Sequence, residues 1–174
     1  MSTDTLTARY NPAARFDLVV TEVELRRNGA GRMLMARVYQ PQGPGPFPTV
    51  LDLHGGGWNR KDRLAEQPMD RALAASGLLV VAVDLTLAGE APYPACVQDA
   101  NYAVRWLKAN AAKWNGDVSK LGVFGSSSGG HVAELLAMRP RRMSMPPSLM
   151  SPCARQSATP PNATTTRCGA RTSR

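Results

Sequence analysis

The amino-acid sequence predicts an α/β fold in which an antiparallel N-terminal hairpin leads into a parallel sheet with helices on both faces. Two observations predict this class. Residues 19–25 alternate in polarity, as half-buried strands do, whereas later apolar runs without alternation are typical of strands buried in a parallel sheet. Strands and helices also follow one another in that later part. This order predicts right-handed crossovers and a ligand site at the carboxyl ends of the strands.

The hairpin is predicted over residues 19–25 and 33–39. In the first segment Val19, Thr21, Val23 and Leu25 alternate with Val20, Glu22 and Glu24, which indicates one solvated face. Asn28, Gly29 and Gly31 supply the turn between the two strands. A link rich in Pro and Gly, residues 41–48, then leads into the sheet.

The parallel sheet is predicted from three apolar runs, at residues 49–53, 78–83 and 121–124. Helices are expected between them, one over 69–75 that ends at Gly77 and one over 97–111 that is closed by Asn115 and Gly116. A third helix should begin at about Gly129. Its inward-facing residues are expected to be Val132, Leu135 and Leu136.

The net charge of +8 comes almost wholly from residues 139–174, which contain 7 Arg and neither Asp nor Glu. These charges are scattered and have no aromatic neighbours, so we expect no nucleic-acid partner. The segment is also too poor in apolar residues to fold, and we predict disorder. We hypothesise that it comes from another reading frame of the gene; a designed truncation or a genuine tail are the alternatives.

The sequence thus divides into an N-terminal extension (1–16), a partial α/β domain (17–138) and the tail (139–174). Residues 1–11 are polar, and no later window is long and apolar enough to span a bilayer, so we expect a cytoplasmic protein without a membrane span. Cys96, Cys153 and Cys168 form no CxxC pair, and neither a metal nor another cofactor is expected. The oligomeric state stays open.

A G-x-S-x-G motif, residues 125–129, stands between an apolar strand and a helical segment. A tight strand-to-helix turn of this kind forces strained dihedral angles on the central serine and exposes its hydroxyl. The turn also points the first N–H groups of the helix at the place where negative charge develops on a substrate carbonyl oxygen.

A second motif, HGGGW at residues 54–58, also follows a predicted buried strand. Consecutive glycines let backbone N–H groups approach a substrate oxygen without obstruction by side chains. A flexible turn is the simpler interpretation of such glycines. The order and spacing of the two motifs favour a catalytic role for these glycines.

Together, HGGGW at 54–58 and GSSSGG at 125–130 resemble the hormone-sensitive-lipase-like esterase branch of the α/β-hydrolase superfamily. Residues 84–94 and the helix over 97–111 are similar to that branch too. The resemblance covers about residues 17–138 and implies an incomplete α/β-hydrolase fold. It implies that Ser127 is the nucleophile and that the N–H groups of Gly56, Gly57 and Ser128 form the oxyanion hole. His54, Gly55, Gly125 and Gly129 would support the two loops.

The sequence departs from the branch at GSSSGG, where GDSAGG is common, at Leu85 and Thr86 in place of Tyr and Arg, and at Gly89 in place of Pro. Carboxylic esters of small molecules are the expected substrates, but esters of carbohydrates and formamides stay open. The reaction also needs an acid and then a histidine after the serine. Only His131 and Glu134 follow Ser127, in the wrong order.

We therefore predict a serine hydrolase of the esterase and lipase type whose present chain has little activity. His131 is expected to pack beside the serine turn or to cap a neighbouring loop, and Asp84 is expected to organise a loop. The alternative is a non-catalytic module that uses the same fold to bind a ligand or a partner. The module should be soluble and unfold cooperatively, whereas in a truncated hydrolase the strand at 121–124 should form an exposed apolar edge that favours aggregation.

Overall fold

Five strands and three α-helices make up the computed structural model, which describes Ala13 and residues 15–138. The strands are β1 (Leu18–Arg27), β2 (Met33–Pro41), β3 (Phe47–Leu53), β4 (Leu79–Val83) and β5 (Gly116–Gly125). The helices are α1 (Gln67–Ala75), α2 (Ala95–Asn110) and α3 (Ser128–Met138), and a short 3₁₀ helix (Ala111–Trp114) follows α2. The predictions for residues 139–174 and for most of 1–16 lie outside the described residues.

The strands form one mixed sheet in the order β1-β2-β4-β3-β5. β1 pairs with β2, and β2 with β4, in antiparallel fashion, while β4, β3 and β5 run parallel to one another. The helices α1 and α2 therefore lie in the crossovers between parallel strands. The predicted class, a hairpin followed by a parallel sheet, is confirmed.

Helices cover both faces of the sheet. Successive side chains of a strand point to opposite faces, so the apolar side chains of one strand need a covering helix on each side. On one face Tyr39, Val80 and Ala82 pack with Ala74 of α1. On the other face the larger core joins the sheet to α2 and α3; its members include Leu51, Leu53, Leu79, Val81, Val83, Val97, Leu107 and Val132. All five residues of β4 are buried, as its continuous apolar sequence predicts.

The hairpin turn depends on the side chain of Asn28. Its Oδ1 accepts hydrogen bonds from the N–H groups of Ala30 (3.1 Å) and Arg32 (2.8 Å), so the side chain closes the turn from within. The predicted outer face of β1 is only partly right, since Val19 is 47% exposed whereas Leu18 and Val20 pack on the α1 side of the sheet. At this end of β1 the helix α1 covers the face of Leu18 and Val20, so that face is buried and the face of Val19 is exposed.

The strand β5 differs most from its prediction. It begins at Gly116, five residues earlier than the apolar run, and within residues 15–138 it pairs only with β3. Gly122 is exposed and Val123 is 38% exposed, so the prediction of burial on both faces is wrong for this strand. The predicted apolar edge is present.

Within the part of the chain that the structure describes, no helix is both long and apolar enough to cross a membrane.

Candidate active site

Three neighbouring strands end side by side at one edge of the sheet. Leu53 is in register with Val83 on one side and with Gly125 on the other. The segments that follow, beginning at His54, Asp84 and Ser126, therefore start close together. This is the edge where parallel α/β sheets place their ligand sites.

Ser127 lies in the two-residue connection between β5 and α3. Its φ angle is +48°, in the left-handed region that residues other than glycine rarely adopt, and the residue is exposed. Three hydrogen bonds hold the turn. The Ser126 carbonyl oxygen accepts from the N–H groups of Gly129 (2.8 Å) and Gly130 (3.4 Å), and the Ser127 carbonyl oxygen accepts from the His131 N–H (3.2 Å). The strained, exposed serine that the motif predicts is present.

Close backbone approach explains the two glycines of this motif. A Cβ atom on Gly129 would collide with the carbonyl oxygen of Leu53, and one on Gly125 would collide with the backbone of Gly129. Any side chain at either position would push α3 away from β3 and β5. The glycines therefore let the helix begin directly above the strand ends.

The glycine-rich loop after β3 packs against this turn. A Cβ atom on Gly55 would lie 2.9 Å from the Ser126 Oγ atom and 3.4 Å from the Ser127 Cβ atom. The Trp58 N–H also donates a hydrogen bond to the Ser128 Oγ atom at 3.3 Å. The structure thus brings together the two motifs that the sequence places about 70 residues apart.

The amides predicted to bind an oxyanion are free to receive a ligand. Among the hydrogen bonds of residues 15–138, none is donated by the N–H of Gly56, Gly57 or Ser128. Gly56 has a φ angle of +113°, and Gly57 is exposed with open space around it. Free N–H groups at the start of a helix favour negative charge.

His54 is buried and tied to backbone on both sides of its ring. Its Nδ1 atom lies 2.8 Å from the Gly55 carbonyl oxygen, and its Nε2 atom accepts a hydrogen bond from the Leu85 N–H at 3.3 Å. Because a backbone N–H only donates, Nε2 is the acceptor in the contact with Leu85. The ring joins the glycine-rich loop to the segment after β4.

Asp84 and Asp99 are buried carboxylates with hydrogen-bond donors around them. Asp84 accepts hydrogen bonds from the N–H groups of Met35 (3.0 Å) and Arg63 (3.1 Å) and from the Arg63 guanidinium (3.2 Å). Asp99 accepts a hydrogen bond from the Thr86 N–H at 2.9 Å. Both side chains fix loops around the site.

A cavity of about 280 Å³ opens beside the glycine-rich loop. The ring of His131 lies on its wall and packs edge to face against Trp58, with 5.6 Å between ring centroids. Most of the lining is apolar, and it includes Ala88, Ala91, Tyr93, Cys96, Val97, Val132 and Leu135. His131 therefore packs beside the turn, as the sequence predicts, and Glu134 is exposed on the next turn of α3.

Sequence reasoning missed three acidic residues on the other side of the turn. Glu66 accepts a hydrogen bond from the Ser126 hydroxyl at 2.6 Å, while Asp52 and Asp70 are buried nearby. Asp52 interrupts the apolar run of β3, and Asp70 precedes the buried Ala74 by one helical turn. An acidic residue inside a buried run was the signal for Asp52; Glu66 had none, because its partner is distant in sequence.

Residues 37–160 match the BD-FAE family. Among relatives, the carboxylesterase NlhH of Mycobacterium tuberculosis is 41% identical over 102 residues, which are 58% of this chain and 32% of that protein. The esterase LipI of the same organism is 35% identical over 129 residues, which are 72% of this chain and 40% of that protein. The chain thus spans about a third of the length of these relatives.

Solved structures of esterases have the same arrangement. A hyperthermophilic esterase from Pyrobaculum calidifontis superposes with a TM-score of 0.64 and 34% identity over 73% of this chain and 40% of that one. A bacterial heroin esterase superposes with a TM-score of 0.61 and 28% identity over 67% of this chain and 37% of that one.

Proposed function

The chain belongs to the BD-FAE family, and on that basis we propose that it supplies the nucleophile and the oxyanion hole of a carboxylic-ester hydrolase. The observation that carries this proposal is the approach of two loops. The glycine-rich loop lies against the turn that exposes Ser127, with unpaired N–H groups on both. Relatives that are named as esterases support the same reaction class.

The first step is attack of the Ser127 Oγ atom on the carbonyl carbon of the ester. A new C–O bond forms, the carbonyl π electrons move to the oxygen, and the serine proton passes to a base. The oxyanion then receives hydrogen bonds from Gly56, Gly57 and Ser128. Losing one such donor from a preorganised site costs about 3 kcal/mol of transition-state stabilisation.

The second step breaks the bond to the alcohol, which leaves with a proton, and the acyl group stays on Ser127. Water then attacks the acyl-serine, releases the carboxylic acid and restores the hydroxyl. The strained turn assists both steps because the Oγ atom stays exposed in one position and does not have to reorganise. We assign the apolar cavity beside Trp58 to the acyl or alcohol group of a small ester.

We further propose that residues 1–174 alone hydrolyse esters slowly. The sequence contains two histidines, and both have other partners. His54 is tied to backbone at both nitrogens, and the His131 ring packs against Trp58. Without a base, only the part of the rate that comes from binding and the oxyanion hole is left.

Mass spectrometry after long incubation with an activated short-chain ester tests the assignment. We expect slow transfer of one acyl group to the peptide that contains Ser127. The same peptide from a Ser127→Ala variant, folded as judged by circular dichroism, should carry none. Acylation that is spread over surface lysines, or that persists in the variant, would contradict the assignment.

A non-catalytic binding role is the second candidate, and the cavity favours it. The cavity lies within the described residues and needs no base to hold an apolar ligand. This role predicts ligand binding that is equal in the original chain and in Ser127→Ala, without any acyl transfer. Acylation of Ser127 is the result that separates the two functions.

A further inference from the structure

Three acidic side chains lie behind the serine turn, on the face of the sheet that α1 covers. Leu51 and Leu53 belong to the core under α2 and α3, so Asp52, which stands between them in β3, points to the opposite face. Asp70 is on the buried side of α1, and Glu66 stands directly before that helix. The strand and the helix thus place these carboxyl groups together.

Asp52 and Asp70 are almost completely buried, with 1% and 0% of their surface exposed. None of their four carboxylate oxygens has a hydrogen-bond partner within the described part of the chain. A buried carboxylate without a partner is far less stable than the neutral acid, because nothing replaces its lost hydration. Ionising both groups of such a pair is less favourable still.

The surroundings of the pair have the same effect on both groups. Burial raises the pKa of Asp52 to about 7, the charge of Glu66 adds to this, and the nearby backbone N–H of Leu53 opposes it by less. Burial likewise raises the pKa of Asp70 to about 7, with further contributions from Asp52 and Glu66. Neither pKa is lowered by a lysine or arginine of the described chain, so no cation compensates for the burial.

The other polar groups around the cluster leave this balance unchanged. The Tyr39 hydroxyl of β2 is buried without a hydrogen bond in the described residues, and burial raises its pKa too. The charges of Arg37 and Arg71 lower the pKa of Tyr39 and so oppose part of the effect of burial. The Lys61 Nζ atom lies 4.0 Å from Glu66 and is half exposed. Within residues 15–138 no group of three His, Cys, Asp or Glu side chains is arranged to hold a metal ion.

Glu66 connects the pair to the serine turn. The Ser126 hydroxyl donates a 2.6 Å hydrogen bond to its carboxylate, and Ser126 is the residue directly before Ser127. The carbonyl oxygen of Ser126 in turn accepts the hydrogen bond from the Gly129 N–H that starts α3. A change in charge beside Glu66 therefore reaches the turn through one side-chain contact.

We propose that Asp52 and Asp70 form a pair of carboxylic acids that both stay protonated up to about neutral pH, and that Glu66 positions the serine turn according to the charge of this pair. While both acids are protonated, Glu66 is the one full negative charge of the cluster and accepts the Ser126 hydrogen bond. When the pair loses a proton, repulsion displaces Glu66. The protonation of the pair does not depend on the proposed function, whereas its effect on catalysis rests on that function.

Infrared spectroscopy of the full chain tests the first half of the proposal. A protonated carboxylic acid has a carbonyl band that a carboxylate lacks. We expect this band at pH 6. About half of its intensity should be lost near pH 7, because burial raises the pKa of both groups to about 7. An Asp52→Asn/Asp70→Asn double variant should lack the band, and a Glu134→Gln variant should keep it. Absence of the band at pH 6 in the folded protein would overturn the proposal.

Nuclear magnetic resonance tests the link to the turn without any need for activity. The amide signals of Ser126 and Ser127 should shift with pH, with the same midpoint as the infrared band. In a Glu66→Gln variant the band should persist while the amide shifts are lost. Amide shifts that are equal in this variant and in the original chain would refute the positioning role of Glu66. If Ser127 accepts no acyl group but these titrations hold, only the proposed hydrolase function fails.

Discussion

Buried acids lie on both sides of the glycine-rich loop, and the two regions differ in what surrounds them. Asp84, after β4, accepts hydrogen bonds from two backbone N–H groups and one guanidinium. Asp52 and Asp70, on the α1 side, accept none within the described residues. All three are almost fully buried, so burial alone does not decide the state of a carboxyl group. The donors within reach decide it.

The neighbours of each region explain this difference. Arg63 and Arg32 reach Asp84 from loops, where long side chains are free to extend, and their Nη1 atoms lie 3.2 Å and 3.8 Å from its carboxylate. Asp52 lies in β3 and Asp70 on the buried side of α1, on a face of the sheet where the other buried residues are mostly apolar. An ion pair forms in the first region and a neutral acid in the second.

Removal of Asp84 should have the largest effect on stability. Asp84→Ala leaves the Met35 and Arg63 N–H groups without acceptors and the Arg63 guanidinium without its buried partner. Loss of one member of such a pair costs about 3 to 5 kcal/mol. Urea unfolding should report this loss, with exposed Glu134→Ala as the matched control. Equal unfolding midpoints for the two variants would show that the Asp84 region does not depend on its hydrogen bonds.

The next largest effect should be a change of stability with pH, and it should come from Asp52 and Asp70. Both aspartates have folded-state pKa values of about 7, above the value of about 3.9 in an unfolded chain. Between these values the folded protein binds more protons than the unfolded chain. The free energy of unfolding should therefore fall as pH rises from about 4 to about 7.

The double variant Asp52→Asn/Asp70→Asn separates this effect from the titration of other groups. Its free energy of unfolding should change less over the same pH range, because the amides do not titrate. At pH 8 it should unfold at a higher urea concentration than the original chain. The same decline in the variant and in the original chain would remove the contrast between the two regions.

A smaller effect is expected at Arg63, which joins Glu22 and Asp84. Its Nε atom lies 2.7 Å from Glu22, and its Nη1 atom lies 3.2 Å from Asp84. Lysine carries the same charge but cannot reach both carboxylates, so Arg63→Lys should cost about 1 kcal/mol. Arg105→Lys, at an exposed position of α2, is the matched control for urea unfolding. Equal stability of the two variants would show that charge alone is enough at position 63.

Most of the fold could be predicted because its signals are local. The alternating polarity of β1 indicates a strand, although it does not show which face is covered. The apolar runs of β3 and β4 and the glycine after α1 likewise indicate the structure of the residues around them. Membership of the esterase branch is confirmed as well, because both of its motifs are continuous in sequence. The burial of β5 was predicted wrongly, since an apolar run does not show whether a second strand pairs with it.

The site could be predicted in part. The strained turn at Ser127 and the glycine-rich loop follow from their motifs, and the structure brings the two together. The hydrogen bond between Ser126 and Glu66 joins residues 60 positions apart, so no local pattern indicates it. The pair of Asp52 and Asp70 depends on the face of β3 that meets α1, and that contact exists only after folding.

Chemical rescue with imidazole tests the central proposal most directly, namely that Ser127 is a nucleophile that is held in position but lacks a base. We expect ester hydrolysis by the full chain to rise on addition of imidazole, beyond the sum of the rates with protein alone and imidazole alone. Ser127→Ala should abolish that increment. Rapid hydrolysis without imidazole that Ser127→Ala abolishes would show that a base is present, and an increment that survives Ser127→Ala would show that Ser127 is not the nucleophile.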